Sequence, residues 1–473
     1  MVVGDIVQER DLVIIGGGPG GYNAAIRAAQ LGLQVTLVEK ADMGGVCLNK
    51  GCIPSKVHTH AAKQLSTLSK LEDIGISTKE SSFDFGKLSS YKEKVVTNLR
   101  KGVESLCQAN KIEILKGAAS FISEVRIGVE EGHNFDIIQF KHAIIATGAT
   151  PVAEGPLDVS HERILLSHEI YSLSEVPEHL VVYGSDYLSL EVASSYHYLG
   201  AKVTIVLDDA KDDFNFDDSI NRELKRLLKK SKIKVLRGHT IETISGSDTG
   251  VEFVCKKGED AETVSGTHAF LSTKNQPNIS SLGLDRIGVD VSEAGYVVTD
   301  VTMKTSKDNI FAIGDTTEGE SLAIKAIKQG KVAAETIAGE ASEVDLTFLP
   351  IVVHTVPPIA TVGLTEKEAK EAGYEVKTGQ FALGGNGYAM ITGEKDGFVK
   401  VIKDSKTDML LGFHAIGAGA VEMISTGTVA LEMVGRDEDL TFPLYPHPSF
   451  NEAFLEAVEG LSDQAIHSPP AKK

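Results

Sequence analysis

The chain has 473 residues and a formal net charge of −19, long enough for two to four domains and too acidic for non-specific nucleic-acid binding. Hydrophobic residues make up 42% and charged residues 24%, the balance of a globular protein, and no apolar run reaches the ~18 residues of a membrane helix. The opening MVVGDIVQERD reads as neither a signal nor a transit sequence, and four cysteines (Cys47, Cys52, Cys107, Cys255) are too few for a disulfide-framed secreted protein, so a cytoplasmic protein is expected.

In chain order, DLVII (11–15) reads as a buried strand, residues 22–32 as a helix rich in small residues, and LQVTLVEK (33–40) as a second strand. Residues 57–110 read as mostly helical, with a polar loop near 72–86. KHAIIATGA (141–149) is an apolar strand ending in glycine, and SLSEVPEH (172–179) reads as a linker. INRELKRLLKK (220–230) is a charged helix. FAIGD (311–315) is a strand with a tight turn, followed by the helical AIKAIKQGKVAAETI (323–337). From about residue 348 the texture changes to the strands of an α+β domain: IVVHTVPPIATVGLTE, GFVKVIKD and MLLGFHAIG. The tail SPPAKK is expected to be disordered.

Between the first two strands lies Gly16-x-Gly18-x-x-Gly21, with Glu39 closing the second strand. The glycines permit a tight turn and close approach of a pyrophosphate to the helix N-terminus, and an acid at Glu39 accepts from a ribose. This is a dinucleotide fingerprint that does not choose between FAD and NAD. The pattern is written twice. Shifted by 168 positions, LVIIGGGPGGYNAAIRAAQLGLQVTLVEK (12–40) falls on LVVYGSDYLSLEVASSYHYLGAKVTIVLD (180–208) without a gap.

Cys47 and Cys52 are five apart in GGVCLNKGCIPSK (44–56). An ideal helix would hold their Cα atoms roughly 8–9 Å apart, beyond the about 4.4–6.8 Å of a disulfide. A bridge therefore needs a distorted turn, which Gly51 permits. The alternatives are inert thiols, or a metal site that only His58 and His60 are near enough to complete. Near the far end, His447 and Glu452 stand five apart in YPHPSFNE; a histidine is a natural base for a thiol and a carboxylate can fix its ring, although such a pair is also a common surface accident. His58, His60, His354 and His414 read as structural or surface residues.

GGxCxNxGCIPSK, followed by ATGATP (146–151), FAIGD, TVGLTE (361–366) and HPSFNE (447–452), resembles the pyridine nucleotide–disulfide oxidoreductases over nearly the whole chain, and within them the dihydrolipoamide dehydrogenase branch. Glutathione reductases differ at the cysteines, and mercuric reductases end in a further cysteine pair. The resemblance implies an α/β fold of two Rossmann-like nucleotide-binding domains, of FAD and NAD type, plus a C-terminal α+β dimerisation domain. The expected boundaries are 1–150, 151–280, 281–347 and 348–473. It implies an FAD-dependent oxidation of protein-bound dihydrolipoyl groups through a Cys47–Cys52 disulfide, with NAD as acceptor. Gly16, Gly18, Gly21, Glu39, Lys40, Gly45, Lys56, Thr147, Gly148 and Asp315 would hold FAD. Cys52 would face the flavin, Cys47 would exchange with substrate, and Lys56 would pair with Glu191. Gly184 and Tyr187 would belong to the second cofactor site. His447 and Glu452 would serve the disulfide of the other subunit, so a homodimer and a lipoyl-bearing carrier protein are the implied partners, with no nucleic acid, membrane or metal.

The second copy departs from that pattern. Asp186, Ser189 and Leu207 stand where the first copy has Gly18, Gly21 and Glu39, with Asp208 adjacent to the last. Lys274 opens KNQPN where relatives carry Gly-Arg, and Tyr445 stands where many carry a second histidine. These changes open an alternative: weakened or no NAD use with a different acceptor or disulfide substrate, or a catalytically reduced flavoprotein subunit.

Overall fold

Leu12, Val13, Ile14 and Ile15 end the strand Gln8–Ile15, and all four are buried. A strand covered on both faces is apolar without alternation, the signature of a parallel sheet between helices. In the computed structural model, which describes residues 8–78, 81–152, 157–207, 213–258 and 260–468, this strand lies between two parallel neighbours, Val35–Glu39 and Asn134–Ile145. Glu113–Lys116 and Ile310–Ala312 extend the parallel sheet at its two sides. Leu12 and Ile14 pack with Ala24, Ala25 and Ala28 of the helix Pro19–Gln30, while Val13 and Ile15 pack with Phe121 and Phe140 on the opposite face. That is the two-residue alternation of a strand. The helix Ala323–Ile337 packs on the helix Pro19–Gln30 so closely that a Cβ on Gly330 would lie 2.5 Å from the Gly20 carbonyl oxygen.

The chain divides into two compact units. One holds residues 1–55, 86–154 and 273–346; the other holds 56–85, 155–272 and 347–473. The second unit contains another five-stranded parallel sheet, ordered Lys234–Leu236, Lys202–Val206, His179–Tyr183, His268–Leu271, Ile164–Leu166. Its register reproduces that of the first sheet. Leu12 faces Val35 and Ile15 faces Val38; 168 positions later Leu180 faces Val203 and Tyr183 faces Val206. The same unit carries a five-stranded antiparallel sheet ordered Ile351–Val353, Ile359–Gly363, Leu410–Ile416, Phe398–Asp404, Val376–Ala382. Met423 and Ile424 of the helix Ala420–Glu432, with Phe454 and Ala457 of Asn451–Glu459, complete its core. The buried Lys400 Nζ reaches Asp217 Oδ1 at 2.8 Å and Glu366 Oε2 at 2.8 Å, tying this sheet to the start of the helix Asp218–Lys230.

Two elements lie outside the expectations. The strand expected from residue 141 begins at Asn134, where it pairs with the antiparallel Arg126–Glu131, which in turn pairs with Ala118–Ser123. A second antiparallel ribbon comprises Thr240–Ser247, Gly250–Lys257 and Asp260–Gly266. No described helix is long and apolar enough to cross a membrane. Asp208, and the tail beyond Ser468, lie outside the described residues.

Candidate active site

The strand Gln8–Ile15 ends in Gly16 at φ +111°, a conformation open to glycine. A Cβ there would sit 2.2 Å from the Ala146 carbonyl oxygen, and one on Gly21 would sit 1.8 Å from the Gly16 oxygen. Gly18 precedes the helix Pro19–Gln30 and supplies no side-chain cap; among the described residues, Gly45 Cα, at 3.9 Å, is the atom near its would-be Cβ. Gly45 (φ +58°) returns the approach, since a Cβ on it would lie 2.7 Å from Gly18 Cα. The turn is thus lined by backbone and leaves open space over a helix N-terminus, where N–H groups point outward. Glu39 accepts from the Gly17 N–H at 2.7 Å and the Ala41 N–H at 2.7 Å, which fixes the carboxylate at the strand end. Lys40 follows it, exposed.

Thr147, Gly148 and Asp315 are in the same unit. Thr147 Oγ1 is buried and makes no hydrogen bond within the chain among the described residues. Gly148 (φ +68°) has nothing within 4 Å of a would-be Cβ among the described residues. Burial pushes the Asp315 carboxyl above its ordinary range, opposed by the charge of Lys325. An orphaned hydroxyl, an open glycine and a desolvated carboxyl are what a hydroxyl-rich dinucleotide would satisfy. Sequence reasoning missed Asn278, whose side chain donates to the Thr147 oxygen at 3.1 Å and accepts from Thr150 Oγ1 at 2.8 Å, and Gln329, which accepts the Gly314 N–H at 2.7 Å. Asn278 closes the KNQPN segment, whose strand Asn275–Pro277 pairs with Ala149–Pro151; Lys274 O takes the Val152 N–H.

Cys47 lies in the short helix Gly45–Asn49, and Cys52 begins the helix Cys52–Leu71. Between them the Val46 carbonyl oxygen accepts both the Lys50 N–H at 2.9 Å and the Gly51 N–H at 2.7 Å, so the chain turns sharply at Gly51 instead of running on as one helix. Both cysteines are half-buried. Burial pushes the other thiols up, Cys107 in direction and Cys255 to about 11. Four residues past Cys52, Lys56 Nζ lies 2.8 Å from both carboxylate oxygens of Glu191. Glu191 is wholly buried inside the helix Tyr187–Leu199, and its Oε1 also takes the His354 N–H at 2.8 Å.

His447 Nδ1 lies 2.8 Å from Glu452 Oε1, and the Ser449 N–H donates to Oε2 at 2.9 Å. Glu452 sits in the first turn of Asn451–Glu459, where the helix dipole favours an anion. Burial raises its carboxyl, but the His447 and Ser449 hydrogen bonds outweigh that and hold it below its ordinary value. A carboxylate at Nδ1 places a proton there and leaves Nε2 as the basic nitrogen. The ring is 81% exposed. Tyr445, in the place of a second histidine, donates its hydroxyl to the Leu440 oxygen at 2.8 Å, and burial pushes it up to about 12. His58 instead packs edge-on against Tyr171 and Tyr196, and His414 is bonded inside the C-terminal sheet.

The second turn differs. Gly184 keeps a positive φ of +140°, but Asp186 now caps the helix Tyr187–Leu199: its Oδ1 accepts the Ser189 N–H at 2.9 Å and the Ser189 hydroxyl at 2.7 Å. Leu207 is wholly buried in the core, so it offers no counterpart to Glu39. Tyr187 stands half-buried at the helix start.

A family model described as pyridine nucleotide-disulphide oxidoreductase matches residues 10–330, and one for the dimerisation domain of that group matches 349–458. This chain belongs to the pyridine nucleotide–disulfide oxidoreductase family. The dihydrolipoyl dehydrogenase of Staphylococcus aureus is 38% identical over 469 residues, covering 99% of this chain and all of that one. That of Geobacillus stearothermophilus is 38% identical over 467 residues, covering 99% of each. Among solved structures, LpdA of Mycobacterium tuberculosis superposes with a TM-score of 0.88 at 25% identity, over 96% of this chain and 99% of that one. An HOCl-induced flavoprotein disulfide reductase of Escherichia coli gives 0.85 at 26%, over 95% and 99%. This oxidoreductase has the expected α/β architecture with a C-terminal dimerisation domain.

Proposed function

We propose that this oxidoreductase oxidises the dithiol of a dihydrolipoyl group borne on a carrier protein, through a Cys47–Cys52 disulfide and a bound FAD, as a homodimer in the cytoplasm. The observation that carries the reading is the sharp turn at Gly51, which separates Cys47 from Cys52 at the start of a helix where a thiolate is favoured. Two full-length relatives with the name dihydrolipoyl dehydrogenase support the substrate class.

A substrate thiolate attacks Cys47 Sγ; the disulfide breaks and Cys52 leaves as a thiolate. The second substrate thiolate then attacks its own partner sulfur, closing the lipoyl disulfide and releasing Cys47. The substrate loses two electrons and two protons, and the cysteine pair gains the electrons. His447, oriented by Glu452, takes the proton from each attacking thiol and passes it to water. The dyad of one copy would serve the cysteine pair of the other, which suits an exposed imidazole on a domain of dimerisation type. FAD, when bound, supplies the two-electron acceptor beside the pair. Gly16, Gly18, Gly21, Glu39, Lys40, Gly45, Thr147, Gly148 and Asp315 would hold it, with Lys56 fixed by Glu191.

Anaerobic addition of dihydrolipoamide to the flavin-loaded enzyme tests this. Two-electron reduction should raise a long-wavelength thiolate–flavin band, absent in Cys52→Ser. A flavin spectrum left unchanged under excess dithiol, with no long-wavelength band, would overturn the reading.

A further inference from the structure

The two nucleotide-type turns can be compared position by position, because their strands share one register. Gly18 and Gly21 correspond to Asp186 and Ser189. A third correspondence comes from the backbone: Ala146 donates its amide to Ile15 O at 2.8 Å, and Ser272 donates its amide to Tyr183 O at 2.9 Å, with Ile15 and Tyr183 again 168 apart. Three positions that carry no functional group in the first fold therefore carry three polar side chains in the second. They bond to one another: Ser189 donates its N–H and its hydroxyl to Asp186 Oδ1, and Ser272 donates its hydroxyl to Asp186 Oδ2 in a short contact. A Cβ added to Gly184 would lie 2.3 Å from Ser189 Oγ and 2.9 Å from Ser272 Cβ, so the space under the turn is filled.

We infer that Asp186, held by Ser189 and Ser272, is a specificity-determining residue that closes the second nucleotide fold to NAD(H). A pyrophosphate needs the free N–H groups of the first helical turn and close approach to the backbone. Here Ser189 N–H is taken by a carboxylate belonging to the chain. An incoming phosphate would have to break three hydrogen bonds and lie beside a second anion. Leu207, inside the core, returns nothing to an adenosine ribose. Among the described residues, those at this turn do not fit the dinucleotide.

The inference rests on the oxidoreductase reading only in taking the second fold as the acceptor-side one. Binding of NADH and NAD to the flavin-loaded full-length enzyme is measured by titration calorimetry in the wild type, in Asp186→Asn, and in the triple variant Asp186→Gly, Ser189→Gly, Ser272→Ala. Asn keeps the helix cap while removing the charge, which guards against a variant that fails to fold. The wild type should show no saturation at about 1 mM, and the triple variant should bind at least about tenfold tighter, with Asp186→Asn between them. Micromolar binding by the wild type, or a folded triple variant no tighter than the wild type, would overturn it. The long-wavelength band raised by dihydrolipoamide in the same samples reports on the dithiol reading alone, so the two can fail separately.

Discussion

Lys56 Nζ sits 2.8 Å from each carboxylate oxygen of Glu191, and Glu191 has no exposed surface. The lysine is one-third exposed, so its charge remains hydrated while the carboxylate depends on it. Removing the lysine leaves a buried anion held by the His354 N–H; removing the anion leaves a cation that can turn to water. Lys56→Met should therefore lower stability by about 1–3 kcal/mol, and Glu191→Gln by less. Denaturant unfolding of the two variants checks the order, and equal losses would contradict it.

The His447–Glu452 pair predicts a graded loss of activity. His447→Gln removes the base and should reduce dihydrolipoamide oxidation, read with an artificial dye, by about 10²–10⁴-fold. Glu452→Gln leaves one acceptor oxygen where Glu452 uses two, for the ring and the Ser449 N–H, but keeps the base itself, so its loss should be smaller. Steady-state kcat with flavin content held equal is the measurement.

Lys400 and Asp217 make stability depend on acid. Burial raises the Asp217 carboxyl, but the hydrogen bonds from Lys400, Ser219 and the Glu366 N–H outweigh it, leaving it well below its ordinary value. A carboxyl depressed in the folded state takes up its proton on unfolding. Its contribution is present above about pH 4 and is lost as pH falls below that. Glu366, depressed by Lys370 and Lys400, acts in the same window. Lys400→Met should cost about 3–5 kcal/mol at pH 7. The double variant Asp217→Asn, Lys400→Met should show a flatter loss of stability between neutral pH and pH 3 than the wild type.

The four thiols should separate by reactivity. Cys107 and Cys255 are buried and raised by burial, so neither forms a thiolate readily. Iodoacetamide on the dithiol-reduced native enzyme should modify Cys47 and Cys52, and reach the other two only after denaturation. Peptide mapping decides it; rapid native labelling of Cys255 would contradict the burial.

Much of this was legible in sequence because two-sided burial and glycine turns leave strong local marks. The run LVIIGGGPGG fixes strand, turn and helix by itself, and the 168-residue repeat announces the second sheet. Thr240–Ser247 and Asp260–Gly266 were not legible, since most of their residues face solvent and no apolar alternation survives. At the site, the cysteines and the His–Glu pair carry motifs. Ser272, Asn278 and Gln329 do not: each acts on a residue far away in sequence, and a serine at a strand end looks like any other. Asp186 was visible as a lost glycine, but its hydrogen-bonded partners were a matter of tertiary structure.

The matched register has a further use. Two folds on one chain share strand pairing, alternation and turn position, and they experience the same temperature, solvent and expression history. The molecule therefore contains its own control: the open turn at Gly18 reports what the backbone allows, and the filled turn at Asp186 reports what three side chains change. Amide-exchange rates at Tyr22 and Leu190, whose N–H groups bond to the Gly18 and Asp186 carbonyl oxygens respectively, can be read against each other in one experiment. Any difference between them is then referred to the side chains with the strand register held constant.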